Sequence, residues 1–151
     1  NQALGAQPLA KKGLVPETRS RRVMIQDRLM GLLAWQEREK ERQLDFDLFV
    51  ENARRAVGDA FELLRGAGDE ENTRRAFEVE ALYGNSPGNL ERVAQELLLA
   101  LREEILKEER EVIQKRLQAC EEKGDEKGIE EHVRLYQDIE HALRDIKSKN
   151  Q

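Results

Sequence analysis

The sequence predicts an all-α chain, in which an N-terminal helical bundle is joined by one long helix to a C-terminal antiparallel helical hairpin. Three observations predict it. Residues 89–122, NLERVAQELLLALREEILKEEREVIQKRLQACEE, contain neither Gly nor Pro. In that stretch Leu90, Val93, Ala94, Leu97, Leu98, Leu101, Ile105, Val112, Ile113, Leu117 and Cys120 keep the three-and-four spacing of a helix. Earlier in the chain, Phe46, Phe49, Val50, Ala53, Val57, Ala60, Phe61 and Leu64 form one apolar stripe at the same period. After the long stretch, Ile129, His132, Tyr136, Ile139, Leu143 and Ile146 recur with the alternation of a coiled-coil seam. A helix over residues 89–122 spans roughly 50 Å at about 1.5 Å per residue, more than the width of a small domain, so it must leave its own core.

Taken in order, residues 1–17 read as a flexible basic linker. They lack periodicity, and over residues 1–22 Lys11, Lys12, Arg19, Arg21 and Arg22 face the single acid Glu17. Glu17, Thr18 or Ser20 can begin the first helix, which continues through VMIQDRLMGLLAWQ and is apolar around much of its circumference, as a central helix is. Gly31 inside it points to the close approach of a neighbouring helix, and Trp35 reads as core. EREKERQ is a short helix or a connection. Asp45 can cap the next helix, which carries the Phe stripe up to GAGD; Asp69 or Asn72 can then cap TRRAFEVEALY, with Phe77 and Leu82 turned inward.

GNSPGN, residues 84–89, is the clearest turn signal, with Ser86 and Asn89 able to cap the long helix and Pro87 suited to a first turn. Gly124 and Asp125 then supply a stop and a new cap, and so short a turn sends the last helix back antiparallel. The bundle is placed at residues 18–101 and the hairpin at 102–151. Half the hairpin residues are charged, and four i to i+4 pairs are expected to support its helices: Glu103 with Lys107, Glu111 with Lys115, Glu130 with Arg134 and Glu140 with Arg144. A bend is expected around residues 106–110, where few packing partners are foreseen.

Composition narrows the function. The 151 residues are 38% charged, with 31 acids mixed among 26 bases, a balance that suits exposed helices and argues against a dedicated nucleic-acid surface. A single cysteine, Cys120, cannot close an intramolecular disulfide, and no signal peptide or membrane-spanning run is visible, so a reducing cytoplasm is expected. The start at Asn rather than Met suggests a processed end or a piece of something larger.

Neither His132 nor His141 sits in a metal-binding spacing, Gly66 and Gly68 precede acids rather than a Lys and Ser pair, and the carboxylates lie in mixed-sign runs. No catalytic residue, metal ligand or cofactor is expected. His132 reads as a packed seam residue and Cys120 as a half-buried one rather than a reactive thiol. A two-helix hairpin whose last helix packs on one neighbour leaves its other face free for a partner helix. That face is placed at Tyr136, Gln137, Glu140, Leu143, Arg144 and Lys147, where apolar and charged positions alternate along one exposed flank.

Three blocks resemble the C-terminal helicase-binding domain of bacterial DNA primase, the DnaG type. They are RLMGLLAWQ, DFDLFVENARRAVGDAFELL, and the terminal run from ELLLALREEILKEER through the GDE turn to DIEHALRDIK. The resemblance covers roughly residues 19–149. It implies a bundle and hairpin that together bind the N-terminal collar of the hexameric replicative helicase, with the hairpin making the principal contact. The zinc-binding and polymerase domains of primase would then precede residue 1. The implied domain is non-catalytic, needs no cofactor, is a monomer alone, touches neither membrane nor specific DNA sequence, and works in the bacterial cytoplasm. Two other readings of the same pattern are the N-terminal domain of a replicative helicase, which would self-associate, and a free-standing coiled-coil adaptor.

Overall fold

Ser20 Oγ accepts from the Val23 amide at 3.1 Å and caps the first helix, α1 (Arg21–Arg38). The computed structural model describes residues 20–85 and 87–149, and among them the chain is all-α: six α-helices, one 3-10 turn and no strand. The basic linker at 1–17 and the candidate cap Ser86 lie outside the described residues. After α1 come α2 (Phe46–Val57), α3 (Ala60–Arg65), α4 (Asp69–Tyr83), the 3-10 turn η1 (Pro87–Asn89), α5 (Leu90–Lys123) and α6 (Glu126–Lys149).

Every residue from Leu29 to Gln36 is buried, so α1 presents no solvent face over two turns. It packs against α4, α5 and α2, and is the centre of the core. Gly31 marks the tightest crossing: a Cβ there would lie 2.5 Å from both the Arg75 carbonyl oxygen and Val79 Cγ2 of α4. Trp35 is buried, and its Nε1 donates to Glu39 at 3.0 Å. Of EREKERQ, Glu37 and Arg38 finish α1 and residues 39–43 are a connection. Arg42 Nε donates to the Gln36 carbonyl at 3.1 Å, while the Gln43 amide donates to Gln36 Oε1 at 3.0 Å, which ties the loop back to the end of α1.

The Phe stripe is one face but two helices. Gly58, at φ 78°, ends α2, and α3 begins at Ala60 in a new direction. Phe49, Ala53, Val57 and Phe61 are buried, and Phe46, Val50, Ala60 and Leu64 pack against them. Asp45 caps α2 through the Leu48 amide, as its position suggested.

Two expectations for α4 are corrected. The helix begins at Asp69 behind Gly68, with no side-chain cap, and Asn72 instead donates to the Arg65 carbonyl at 3.0 Å. Phe77 and Leu82 do not turn inward; they are 72% and 56% exposed, and α4 buries Arg75, Ala76 and Val79. The close crossing at Gly31 explains the reversal, because the α4 backbone at Arg75 and the Val79 side chain already fill the space against α1. Arg75 enters this interface with its charge matched. Its Nε donates to Asp27 at 2.8 Å and Nη1 to the Leu64 carbonyl at 2.9 Å. On the outer side of the same helix, hydrogen bonding to Glu71, then to Glu78, raises the Arg74 pKa above its ordinary value, with the nearby Asp27 charge adding to it.

α5 is continuous for 34 residues. Its first part supplies Leu90, Ala94, Leu97 and Leu101 to the core, and Ile105 packs against that core from the next turn. Residues 106–110 are helical throughout. The start of α1 braces this stretch, with Arg21 at 3.4 Å from Glu104 and Arg22 at 2.8 Å from Glu108. Gly124, at φ 69°, closes the helix in the left-handed conformation that suits glycine, while the Asp125 amide donates to the Cys120 carbonyl. Asp125 Oδ1 then accepts from the Gly128 amide at 3.0 Å, and α6 returns along α5, its chief packing partner. The buried residues of this part are Ile113, Leu143 and Ile146, and none of them belongs to the main core.

Candidate functional site

The seam of α6 reads as the spacing predicts. Leu143 and Ile146 are buried and Ile129, His132, Tyr136 and Ile139 half-buried, all on the side facing α5. Near the turn, His132 Nδ1 lies 2.7 Å from the Gly128 carbonyl oxygen, an acceptor, so Nδ1 carries the proton. Cys120 Sγ stands 4.0 Å from the same nitrogen and is half-buried.

The six residues placed on an exposed flank do not form one. Leu143 is 6% exposed and belongs to the seam, as does the half-buried Tyr136, whose hydroxyl accepts from Gln114 Nε2 at 3.4 Å. Glu140 is also half-buried. It does not pair with Arg144 along its own helix but accepts from Arg110 Nη1 across the pair at 2.7 Å. Gln137, Arg144 and Lys147 are exposed. Even so, four of the six come together: Glu140, Leu143, Arg144 and Lys147, with Glu103, Lys107 and Arg110 of α5, line a small cleft of about 90 Å³. This flank is rich in cations.

None of the four expected i to i+4 pairs is within ion-pair distance. Lys107 lies instead 3.5 Å from Glu104, one turn back, and Glu140 is taken by α5. A rotamer that reaches a neighbouring helix competes with the local pair, and a local pair is worth only about 0.2–0.5 kcal/mol.

The opposite flank of the same two helices holds a larger groove, about 510 Å³, that the seam pattern did not reveal. Ile105, Val112, Leu135 and Ile139 give it an apolar floor, and Val112 and Leu135 remain 46% and 41% exposed. Glu108, Glu109 and Asp138 stand at its edge against one base, Arg116. The signal was present in the sequence as Val112 beside Ile113 and Leu135 beside Tyr136, apolar residues one step off the seam.

No protein-family model, curated protein or solved structure matches this chain. Among the described residues, no group of three or more His, Cys, Asp and Glu side chains is placed to hold a metal ion, and no helix is long and apolar enough to cross a membrane. The pair of α5 and α6 carries two unlike flanks. One is a charged cleft, and the other is an apolar groove with an acidic edge.

Proposed function

We propose that this chain is the helicase-binding domain of a bacterial DNA primase, which docks on the N-terminal collar of the hexameric replicative helicase and couples primer RNA synthesis to unwinding. The observation that carries the reading is the way α5 runs out of the main core as one helix, with α6 folded back chiefly on it, so that two long flanks stay open to a partner. The order of segments supports it as well, since a leucine-rich helix passing into a charged one, a GDE turn and a terminal amphipathic helix is the sequence texture of that domain.

The mechanism is recruitment rather than catalysis. A reversible contact between the helix pair and the collar raises the local concentration of the attached polymerase on newly exposed template, as any linked module does. The contact is assigned to the flank of Glu140, Arg144 and Lys147, where the side-chain charges can set orientation and association rate. The domain has no cofactor and is a monomer on its own in the bacterial cytoplasm. Titration of a bacterial replicative helicase hexamer with the intact chain and with a chain ending at Glu122 tests this. The intact chain binds saturably, while the shortened one loses binding and keeps the helical signal of residues 20–101. Unchanged binding by the shortened chain would remove the contact from α6, and a chain that ignores the helicase but self-associates would favour a helicase-side or adaptor role.

A further inference from the structure

Among the described residues α6 packs chiefly on α5, and the apolar groove along this pair has no third helix over it. On α5, Ile105, Glu109, Val112 and Arg116 follow one another at steps of four, three and four, a single stripe beside the seam. Leu135, Asp138 and Ile139 of α6 line the groove with it. Val112 and Leu135 are nearly half exposed, so the floor still has apolar area to bury.

Three properties of an occupant follow. It is basic at its flanks, because Glu108 already pairs with Arg22 at 2.8 Å while Glu109 and Asp138 have no ion-pair partner among the described residues. It is helical, because the floor consists of aliphatic side chains on helices whose backbone groups are already paired. An extended segment would leave its N–H and C=O groups unmatched there, whereas a helix satisfies them internally. It has about three turns in contact, since the stripe from Ile105 to Arg116 runs for about 16 Å.

Neither flank of a second copy's helix pair meets these requirements. Groove against groove would set the acids of one copy beside those of the other. The cationic flank of Arg144 and Lys147 has the right charge, but its apolar residue, Leu143, is buried in the seam and cannot fill a floor.

We infer that the groove between α5 and α6 takes an amphipathic helix of another protein, with its apolar stripe on Val112 and Leu135 and its Lys or Arg side chains against Glu109 and Asp138. The inference does not rest on the helicase reading, which uses the flank of Arg144 and Lys147.

The probe is a fluorescein-labelled peptide of about 14 residues, roughly 20 Å as a helix, with Leu at i, i+3, i+4 and i+7, Lys on both sides of that stripe and Ala elsewhere. Titrated into the full chain, it binds a monomer saturably. Amide signals around Val112 and Leu135 shift, and those around Leu63 and Phe77, apolar residues exposed elsewhere, stay in place. Glu109→Lys with Asp138→Lys weakens binding at least about tenfold, as does Val112→Gln with Leu135→Gln. All four positions are exposed, where substitution leaves the fold intact. Glu41→Lys with Glu80→Lys makes the same change in net charge at exposed positions outside the groove, and alters binding by less than about twofold. Equal binding by all these variants, equal binding of a peptide with Glu in place of Lys, or no binding at all would overturn the inference. So would self-association of the chain that the groove substitutions abolish, which would make a second copy the occupant.

Discussion

Arg110 on α5 donates to Glu140 on α6 across 2.7 Å, and both side chains are about one-third exposed. This bridge links the two helices where the main core no longer reaches. An ion pair so accessible contributes little, roughly 0.2–1 kcal/mol. A double-mutant cycle with Arg110→Ala and Glu140→Ala should therefore give a coupling within that range, and added salt should shrink it further. A coupling of several kcal/mol would mean that the pair is far less solvated than its exposure indicates.

Gly31→Ala is expected to destabilise the chain even though alanine is the better helix former by about 1 kcal/mol. The added Cβ would meet the Arg75 carbonyl oxygen and Val79 Cγ2, both at 2.5 Å, and one of these is backbone that cannot rotate away. Overpacking of that kind costs about 1–3 kcal/mol. A lowered midpoint in urea at unchanged slope is the predicted observation, whereas a raised midpoint would show that α1 and α4 separate freely.

Asp27 and Arg75 form the most enclosed ion pair of the core, with side chains 13% and 8% exposed. Loss of one partner leaves a buried charge, so Asp27→Ala should cost about 3 kcal/mol, and Arg75→Leu in the same chain should recover part of it. Equal stability of the single and double variants would indicate that the Leu64 carbonyl alone satisfies Arg75.

Phe77→Ser should change stability by no more than about 0.5 kcal/mol, since the ring is 72% exposed. A loss of several kcal/mol in thermal or urea unfolding would place the ring in the core after all.

That last case shows where sequence reading ends. Helical periodicity revealed the all-α class, the long α5, the turn at Gly124 and the α6 seam, because each depends on spacing within one segment. Which face of α4 meets α1 depends on the partner: at the Gly31 crossing the Arg75 backbone and the Val79 side chain fill the space against α1, although hydrophobicity alone favours Phe77. The two-residue break after Val57 was hidden for a related reason, since Phe61 continues the stripe of Phe49, Ala53 and Val57 while Gly58 redirects the backbone beneath it.

The candidate contact surface was legible in part. Arg144 and Lys147 are exposed as their position suggested, but Leu143 closes the seam and Glu140 faces α5, because a flank on a helical wheel becomes a surface only once the partner helix is in place. The groove at Val112 and Leu135 needed both helices to exist at all.

The helicase contact is tested most directly by a titration of a bacterial replicative helicase hexamer with the intact chain and with an Arg144→Glu, Lys147→Glu variant, both substitutions being at exposed positions. Saturable binding by a monomeric intact chain, weakened at least about tenfold, or 1.4 kcal/mol, in the variant, is the predicted result. Equal binding by both chains, or none by either, would contradict the assignment.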